Sequence, residues 1–166
     1  QHAVDSLEPV PGRLERIDEG QPFTVIVDYA YEPAALTAVY DTIKLIEHKR
    51  LIHIIGSAGG GRDVARREIL GKMAAAHDDV VIVTNEDPYD EDPQTIIDDV
   101  ANATEAAGKQ KGVKLFKFLD RGEAIQFAVD LAEPHDLVLI TGKGSEPVMA
   151  VAGGKKIPWD DRVAAR

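Results

Sequence analysis

The 166-residue chain is 44% hydrophobic and 29% charged, the balance of one globular domain with a core of its own. Its 19 basic and 29 acidic residues leave a net charge of −10, which excludes a general nucleic-acid binder or a polybasic membrane anchor, because phosphate affinity comes from clustered Lys and Arg. With no cysteine there are no disulfides, thiolate metal sites or Cys nucleophiles, and no apolar run approaches the ~18–20 residues that span a bilayer, so a cytoplasmic setting is expected.

In chain order, Phe23–Val27 reads as a buried strand and Pro33–His48 as a helix with Leu36, Val39, Tyr40, Ile43 and Ile46 on one face. Leu51–Ile55 is the next strand and runs into the loop Gly56-Ser57-Ala58-Gly59-Gly60-Gly61, after which Val64–His77 is expected to be helical. Val80–Thr84 is a third strand. Pro93 at a first turn, behind Asp92 as cap, opens a helix to Ala107. Val113–Leu119 is expected as a further strand, Arg121–Ala132 as a helix and Leu137–Thr141 as the last strong strand. Residues 1–8 and 157–166 read as arms or fragments of neighbouring elements. Strands apolar on both faces and separated by helices indicate a mainly parallel α/β sheet.

In an open parallel sheet, ligands bind beyond the carboxyl ends of the strands. Those ends carry the unusual residues here: Asp28-Tyr29-Ala30, then the glycine loop with Arg62, then Asn85-Glu86-Asp87-Pro88, then Gly142-Lys143-Gly144-Ser145-Glu146. The glycine loop is neither a Walker A motif, since Arg62 follows Gly61, nor G-x-G-x-x-G. Two readings of it stay open. It is an anion pocket in which backbone N–H groups, a helix N-terminus and Arg62 receive a carboxylate or phosphate, or a flexible turn with a solvated arginine. Residues 142–146 read either as a close-approach loop in which Glu146 meets an amine, or as an ordinary strand-to-helix turn. Glu86-Asp87 is an acidic binding pair or a solvated acidic loop, and Asp98-Asp99 a solvated helix face. His2, His48, His53, His77 and His135 show no i, i+4 pairing, and no metal site is expected.

Val10-Pro11-Gly12-Arg13-Leu14-Glu15, Asp28-Tyr29-Ala30 with Pro33, Gly61-Arg62-Asp63 with Arg67, Glu91-Asp92-Pro93, Asp120-Arg121, Gly142-Lys143-Gly144 with Glu146, and Ile157-Pro158-Trp159-Asp160-Asp161-Arg162 form an ordered set. That set resembles the C-terminal domain of the Mur ligases, especially those that add the third residue to UDP-N-acetylmuramoyl-dipeptide in peptidoglycan synthesis. The resemblance implies a Rossmann-like three-layer α/β sandwich whose mostly parallel sheet has about six strands, one of them antiparallel. It also implies that residues 1–12 are the hinge and tail of a central ATPase domain, and residues 13–166 the C-terminal domain.

By the same resemblance, Arg13 at the hinge, Asp28 and Tyr31 would lie on the ATP side, Asp28 accepting from ribose hydroxyls. Arg62, Glu86, Asp87, Tyr89, Gly142 and Glu146 would hold the incoming amino acid, and no residue of this chain would be a catalytic acid or base. ATP and Mg would act in the complete ligase, mainly through the central domain, so this stretch alone is expected to fold without turning over ATP. The partners implied are a UDP-N-acetylmuramoyl-peptide and a small amino acid, with neither nucleic acid nor membrane. The chain departs from the family's usual pattern at Tyr31 and Glu32 (His-Thr), at Glu86-Asp87-Pro88-Tyr89 (Asp-Asn-Pro-Arg in diaminopimelate-adding members) and at Ser145 (His). Losing the arginine at Tyr89 and gaining a charge at Asp87 point to lysine or ornithine over diaminopimelate. The alternatives are a related ligase of cyanophycin- or folylpolyglutamate-like type, or a non-catalytic binding module of the same fold.

Overall fold

The computed structural model describes residues 10–166, so most of the expected hinge and tail lies outside the described residues. Strands β1 (Glu15–Ile17), β2 (Thr24–Asp28), β3 (Leu51–Ile55), β4 (Val80–Thr84), β5 (Leu115–Phe118) and β6 (Leu137–Thr141) form one sheet in the order β1-β2-β6-β3-β4-β5. All neighbours are parallel except the edge pair, where Glu15 lies opposite Val27 and Ile17 opposite Val25 in antiparallel register.

The helices α1 (Pro33–Ile43), α2 (Ala65–His77) and α3 (Pro93–Ala106) cover one face, and α4 (Arg121–Leu131) the other. Strand alternation explains the division. Ile26, Leu51, Val81, Val83, Leu137 and Leu139 pack with Leu36, Tyr40, Ile43, Leu70, Ile97 and Val100. Their neighbours Val25, Val27, Ile52, Ile54, Ile82, Val138 and Ile140 pack with Ala124, Ile125 and Ala128. Both faces of each inner strand are therefore dry, as parallel sheets require.

Local chemistry sets the helix starts. Pro33 begins α1, and Pro93 begins α3 behind Asp92, whose side chain accepts from the Gln94 N–H. Asp120 caps α4 by accepting from the Glu123 N–H. The expected helix to His48 stops at Ile43: the N–H groups of Leu45 and Ile46 turn back to Thr42 and Ile43, and the Lys49 N–H is held by the His135 carbonyl. Ile46 still packs on the core from this turn, whereas Leu45 is exposed.

The tail is not a loose arm. β7 (Val148–Val151) and β8 (Lys155–Pro158) form a hairpin whose turn uses Gly153 and Gly154 at φ 71° and 68°. The short α5 (Asp161–Ala164) follows. Asp161 is fully buried and accepts from Arg121 Nε at 2.7 Å, Arg121 Nη2 at 2.8 Å and Trp159 Nε1 at 2.8 Å. Nor is Asp98-Asp99 a merely solvated face: Asp98 pairs with Lys117 at 2.7 Å and Asp99 with Arg67 at 3.0 Å.

One polar chain crosses the otherwise dry α1–α3 side. His53, wholly buried in β3, places Nδ1 2.8 Å from Asp78 and Nε2 2.9 Å from the Thr141 hydroxyl, and Tyr40 donates to the same Asp78 oxygen at 2.9 Å. With Nδ1–H donating to the carboxylate, Nε2 accepts from Thr141, the last residue of β6. The sheet's polar interior thus ends where the carboxyl-edge loops begin.

Candidate functional site

The parallel strands deliver their carboxyl ends to one edge, and the loops that leave them enclose a small cavity of about 50 Å³. Its wall is built by Tyr29 and Tyr31 beyond β2, Ala58 and Arg62 beyond β3, Glu86, Asp87 and Tyr89 beyond β4, and Gly142 and Glu146 beyond β6. All six residues expected on the amino-acid side converge there, joined by Tyr31 from the expected ATP side. A larger groove of about 420 Å³ runs between α2 and α3, lined by exposed Glu68, Lys72 and Asn102, and there the buried Arg67 is already paired with Asp99.

Glu86-Asp87 is not a solvated loop. Glu86 is 3% exposed, and its Oε2 has no hydrogen-bond partner. Burial pushes its carboxyl up to about 7, against the pull of Arg121, Lys143 and Arg66, with Asp87 adding to the rise. Gly142 makes this position possible. At φ 109° it bends the β6 exit, and a Cβ there would lie 2.5 Å from Glu86 Oε2. The segment 142–146 is likewise no strand-to-helix turn, since it leads into the β7–β8 hairpin.

Lys143 is the residue that sequence reasoning left without a role. It is 1% exposed, and its ammonium donates to both Asp87 oxygens at 2.9 and 2.8 Å and to Glu146 Oε2 at 2.5 Å. Asp87 Oδ1 also accepts the Ala150 N–H at 2.7 Å, and the Tyr29 hydroxyl donates to Glu146 Oε1 at 2.7 Å. Burial raises the Glu146 pKa, but hydrogen bonds from Lys143 and Tyr29 and the charges of Lys143 and Arg62 bring it below the usual carboxylate range. The negative charge expected of Asp87 is therefore met inside the chain. Among the cavity-lining residues, Arg62 is the single cation; it is exposed, and the adjacent Tyr89 hydroxyl raises its pKa.

On the side of the segment before β1, Arg13 is exposed with its guanidinium carbon 4.5 Å above the Tyr29 ring. Tyr29 meets Tyr31 edge-on at 5.3 Å, and the Arg66 guanidinium lies 5.8 Å from the Tyr31 centroid while pairing with Glu32. Asp28 is 6% exposed and already accepts from the Leu14 N–H at 2.8 Å and the Ala30 N–H at 2.7 Å, one bond to each oxygen. It ties the segment before β1 to β2 and keeps a second lone pair on each oxygen for a further donor. Beside it, the segment at Gly12 sits directly on the Gly142–Glu146 loop, since a Cβ on Gly12 would fall 2.2 Å from the Ser145 nitrogen.

A mixed sheet of this order, with four carboxyl-edge loops closing on a charged cavity, is an open α/β fold whose candidate ligand side is the carboxyl edge. Residues 12–144 match the family described as Mur ligase, glutamate ligase domain, and the chain belongs to that family. It is 41% identical over 169 residues to the UDP-N-acetylmuramyl-tripeptide synthetase of Roseiflexus sp. (strain RS-1), covering 100% of this chain and 33% of that protein. It is 43% identical to the UDP-N-acetylmuramoyl-L-alanyl-D-glutamate–2,6-diaminopimelate ligase of Corynebacterium glutamicum, covering 95% of this chain and 30% of that one. A solved structure of a ligase with the same name superposes with a TM-score of 0.81 at 32% identity, over 99% of this chain and 32% of that one. The chain thus spans about one third of the length of the relatives it matches. Mycobacterium tuberculosis folylpolyglutamate synthase complexed with ADP shares the fold, with a TM-score of 0.58 at 23% identity over 81% of this chain and 30% of that one.

Proposed function

We propose that the chain is the amino-acid-binding lobe of a cytoplasmic ATP-dependent ligase that extends a UDP-N-acetylmuramoyl-peptide in peptidoglycan synthesis, and that residues 1–12 form its hinge to a preceding ATPase domain. The observation that carries this reading is the convergence of Arg62, Glu86, Asp87, Tyr89, Gly142 and Glu146 on one cavity at the carboxyl edge. In such a reaction the peptide carboxylate takes the γ-phosphoryl group of ATP. The amino acid's amine then attacks the acyl carbon, phosphate leaves, and the amine's proton is lost to solvent. The work of this lobe is positioning and charge neutralisation rather than acid–base chemistry.

Arg62 suits the substrate's α-carboxylate, a group that a guanidinium grips through two parallel hydrogen bonds. Arg13 and Asp28 would meet the phosphates and ribose of ATP, Asp28 through its remaining lone pairs. Mg²⁺ would act with the nucleotide's phosphates, mainly through the preceding ATPase domain.

The amino acid proposed is lysine or ornithine. With Arg62 spent on the α-carboxylate, the cavity wall has no second cation for the distal carboxylate of diaminopimelate, and Tyr89 offers one neutral hydroxyl. Glu86, whose Oε2 has no hydrogen-bond partner, is left to accept from a terminal ammonium. A charge-assisted bond is worth roughly 1.5–3 kcal/mol, so lysine or ornithine should lead diaminopimelate by about one to two orders of magnitude. The test is kcat/KM for lysine, ornithine and meso-diaminopimelate with the full-length ligase. A preference for diaminopimelate would overturn the assignment of the amino acid, and an absence of amide formation with all three would overturn the ligase reading.

A further inference from the structure

Buried Lys143 and two carboxylates of the cavity wall form one ion-paired unit. Lys143 is held inward by its neighbours, with Gly142 at φ 109° and Gly144 at φ 53°, and its three donors match three carboxylate oxygens within 2.9 Å. Those oxygens belong to side chains that are themselves open to the cavity, Asp87 at 14% and Glu146 at 38% side-chain exposure. An ammonium ion buried between two such carboxylates stands where a basic side chain of a ligand would otherwise stand. We propose that Lys143 is a positioning and specificity-determining residue: its ammonium fills the seat between Asp87 and Glu146, so that an incoming side chain is read by Glu86 instead, while Arg62 holds the α-carboxylate.

This inference rests on the ligase reading above and adds a residue to it. Without Lys143, Asp87 and Glu146 would face the cavity as unbalanced negative charges, lose their common anchor, and repel any ligand carboxylate. A cationic side chain could then settle between them in place of the lost lysine.

The experiment uses the full-length ligase as wild type, Lys143→Met, Asp87→Asn and the Lys143→Met/Asp87→Asn double variant. For Lys143→Met the KM for the amino acid is expected to rise about tenfold or more, with KM for ATP and for the UDP-sugar peptide within about twofold of wild type. The ratio of kcat/KM for lysine over diaminopimelate should shift towards lysine by about fivefold or more. The double variant, with one negative charge fewer, should recover most of the loss relative to Asp87→Asn, and it serves as the assay form if Lys143→Met does not fold. An equal rise in all three KM values, or an unchanged amino-acid KM, would overturn the proposal.

A second readout does not depend on turnover. In the present chain, carbon-13 NMR should show the Glu146 carboxyl titrating at least about one unit higher in the double variant than in Asp87→Asn, with Tyr29, Arg62 and Glu86 still facing it. If the wild-type ligase accepts none of the amino acids, the ligase reading fails on its own and this titration decides the role of Lys143. An unshifted Glu146 would then overturn it.

Discussion

Arg121 and Lys143 are buried to the same degree, at 2% and 1% exposure, and both lie under the carboxyl edge, yet they do different things with their charge. Arg121 is closed. Asp161 takes two of its bonds, and the carbonyls of Asn85 and Thr141 take the others at 3.2 and 2.8 Å. Those carbonyls belong to the residues just before Glu86 and Gly142, so Arg121 braces two site loops from beneath while pinning the tail. Lys143 is open, because its partners Asp87 and Glu146 line the cavity. Burial alone therefore does not separate structural from functional charge. What separates them is whether the partner is also sealed.

The contrast is broken most directly at Arg121. Arg121→Met would leave Asp161, at 0% exposure, as a buried carboxylate whose remaining donor is the Trp159 indole. Removing one partner of such a pair costs about 3–5 kcal/mol. Chemical denaturation of the chain should show that loss, whereas Lys143→Met should cost less, because water can reach Asp87 and Glu146. Equal losses would mean that the two cations are equivalent after all.

Glu86 sharpens the contrast through pH. Its carboxyl, raised from 4.5 to about 7 chiefly by burial, holds its proton longer in the folded chain than in the unfolded one. Between those values the unfolded state binds fewer protons, so this group makes stability fall as pH rises from about 4.5 to about 7. The full penalty is roughly 3 kcal/mol, from about 1.4 kcal/mol per unit. Glu86→Gln should remove that part of the slope, matching wild type near pH 4 and exceeding it at pH 8 in denaturant midpoints. Identical pH profiles would mean that the unpartnered oxygen is compensated in solution.

Much of this was legible in the sequence, and the boundary is physical. Long runs such as Val80–Thr84 and Leu137–Thr141 announce buried strands, and the four edge loops announce the cavity. The three residues of β1 are too few to carry a period, and β8 is exposed throughout; the Gly153-Gly154 pair was a hairpin signal that the reading of the tail as an arm passed over. Pairings were out of reach. Nothing in spacing says that Arg121 will choose Asp161, 40 residues away, or that Lys143 will choose Asp87, 56 residues away. The lysine between Gly142 and Gly144, directly after a buried strand, was the available sign of an inward-turned cation.

The smallest expected effect lies at Arg13, the exposed counterpart of these two cations. Its guanidinium rests on the Tyr29 ring, and a contact of that kind at an exposed site contributes about 0.5–1 kcal/mol. The backbone around it is held independently of its side chain: the Gly12 N–H donates to Glu15 at 2.7 Å, the Arg13 N–H to the Val10 carbonyl at 3.1 Å, and the Leu14 N–H to Asp28 at 2.8 Å. Arg13→Ala should therefore lower stability by no more than about 1 kcal/mol, a fall in melting temperature of no more than roughly 2–4 °C. It should leave the pH slope from Glu86 intact. Under the proposed function the same variant should raise KM for ATP in the full-length ligase while leaving KM for the amino acid near wild type. Tyr29→Phe separates the two properties of the ring beneath it, keeping the face that Arg13 covers and deleting the hydroxyl that Glu146 accepts from. Were Arg13→Ala to cost as much as Arg121→Met, the segment before β1 would be as tightly bound into the domain as the tail, and exposure would not have told the two apart.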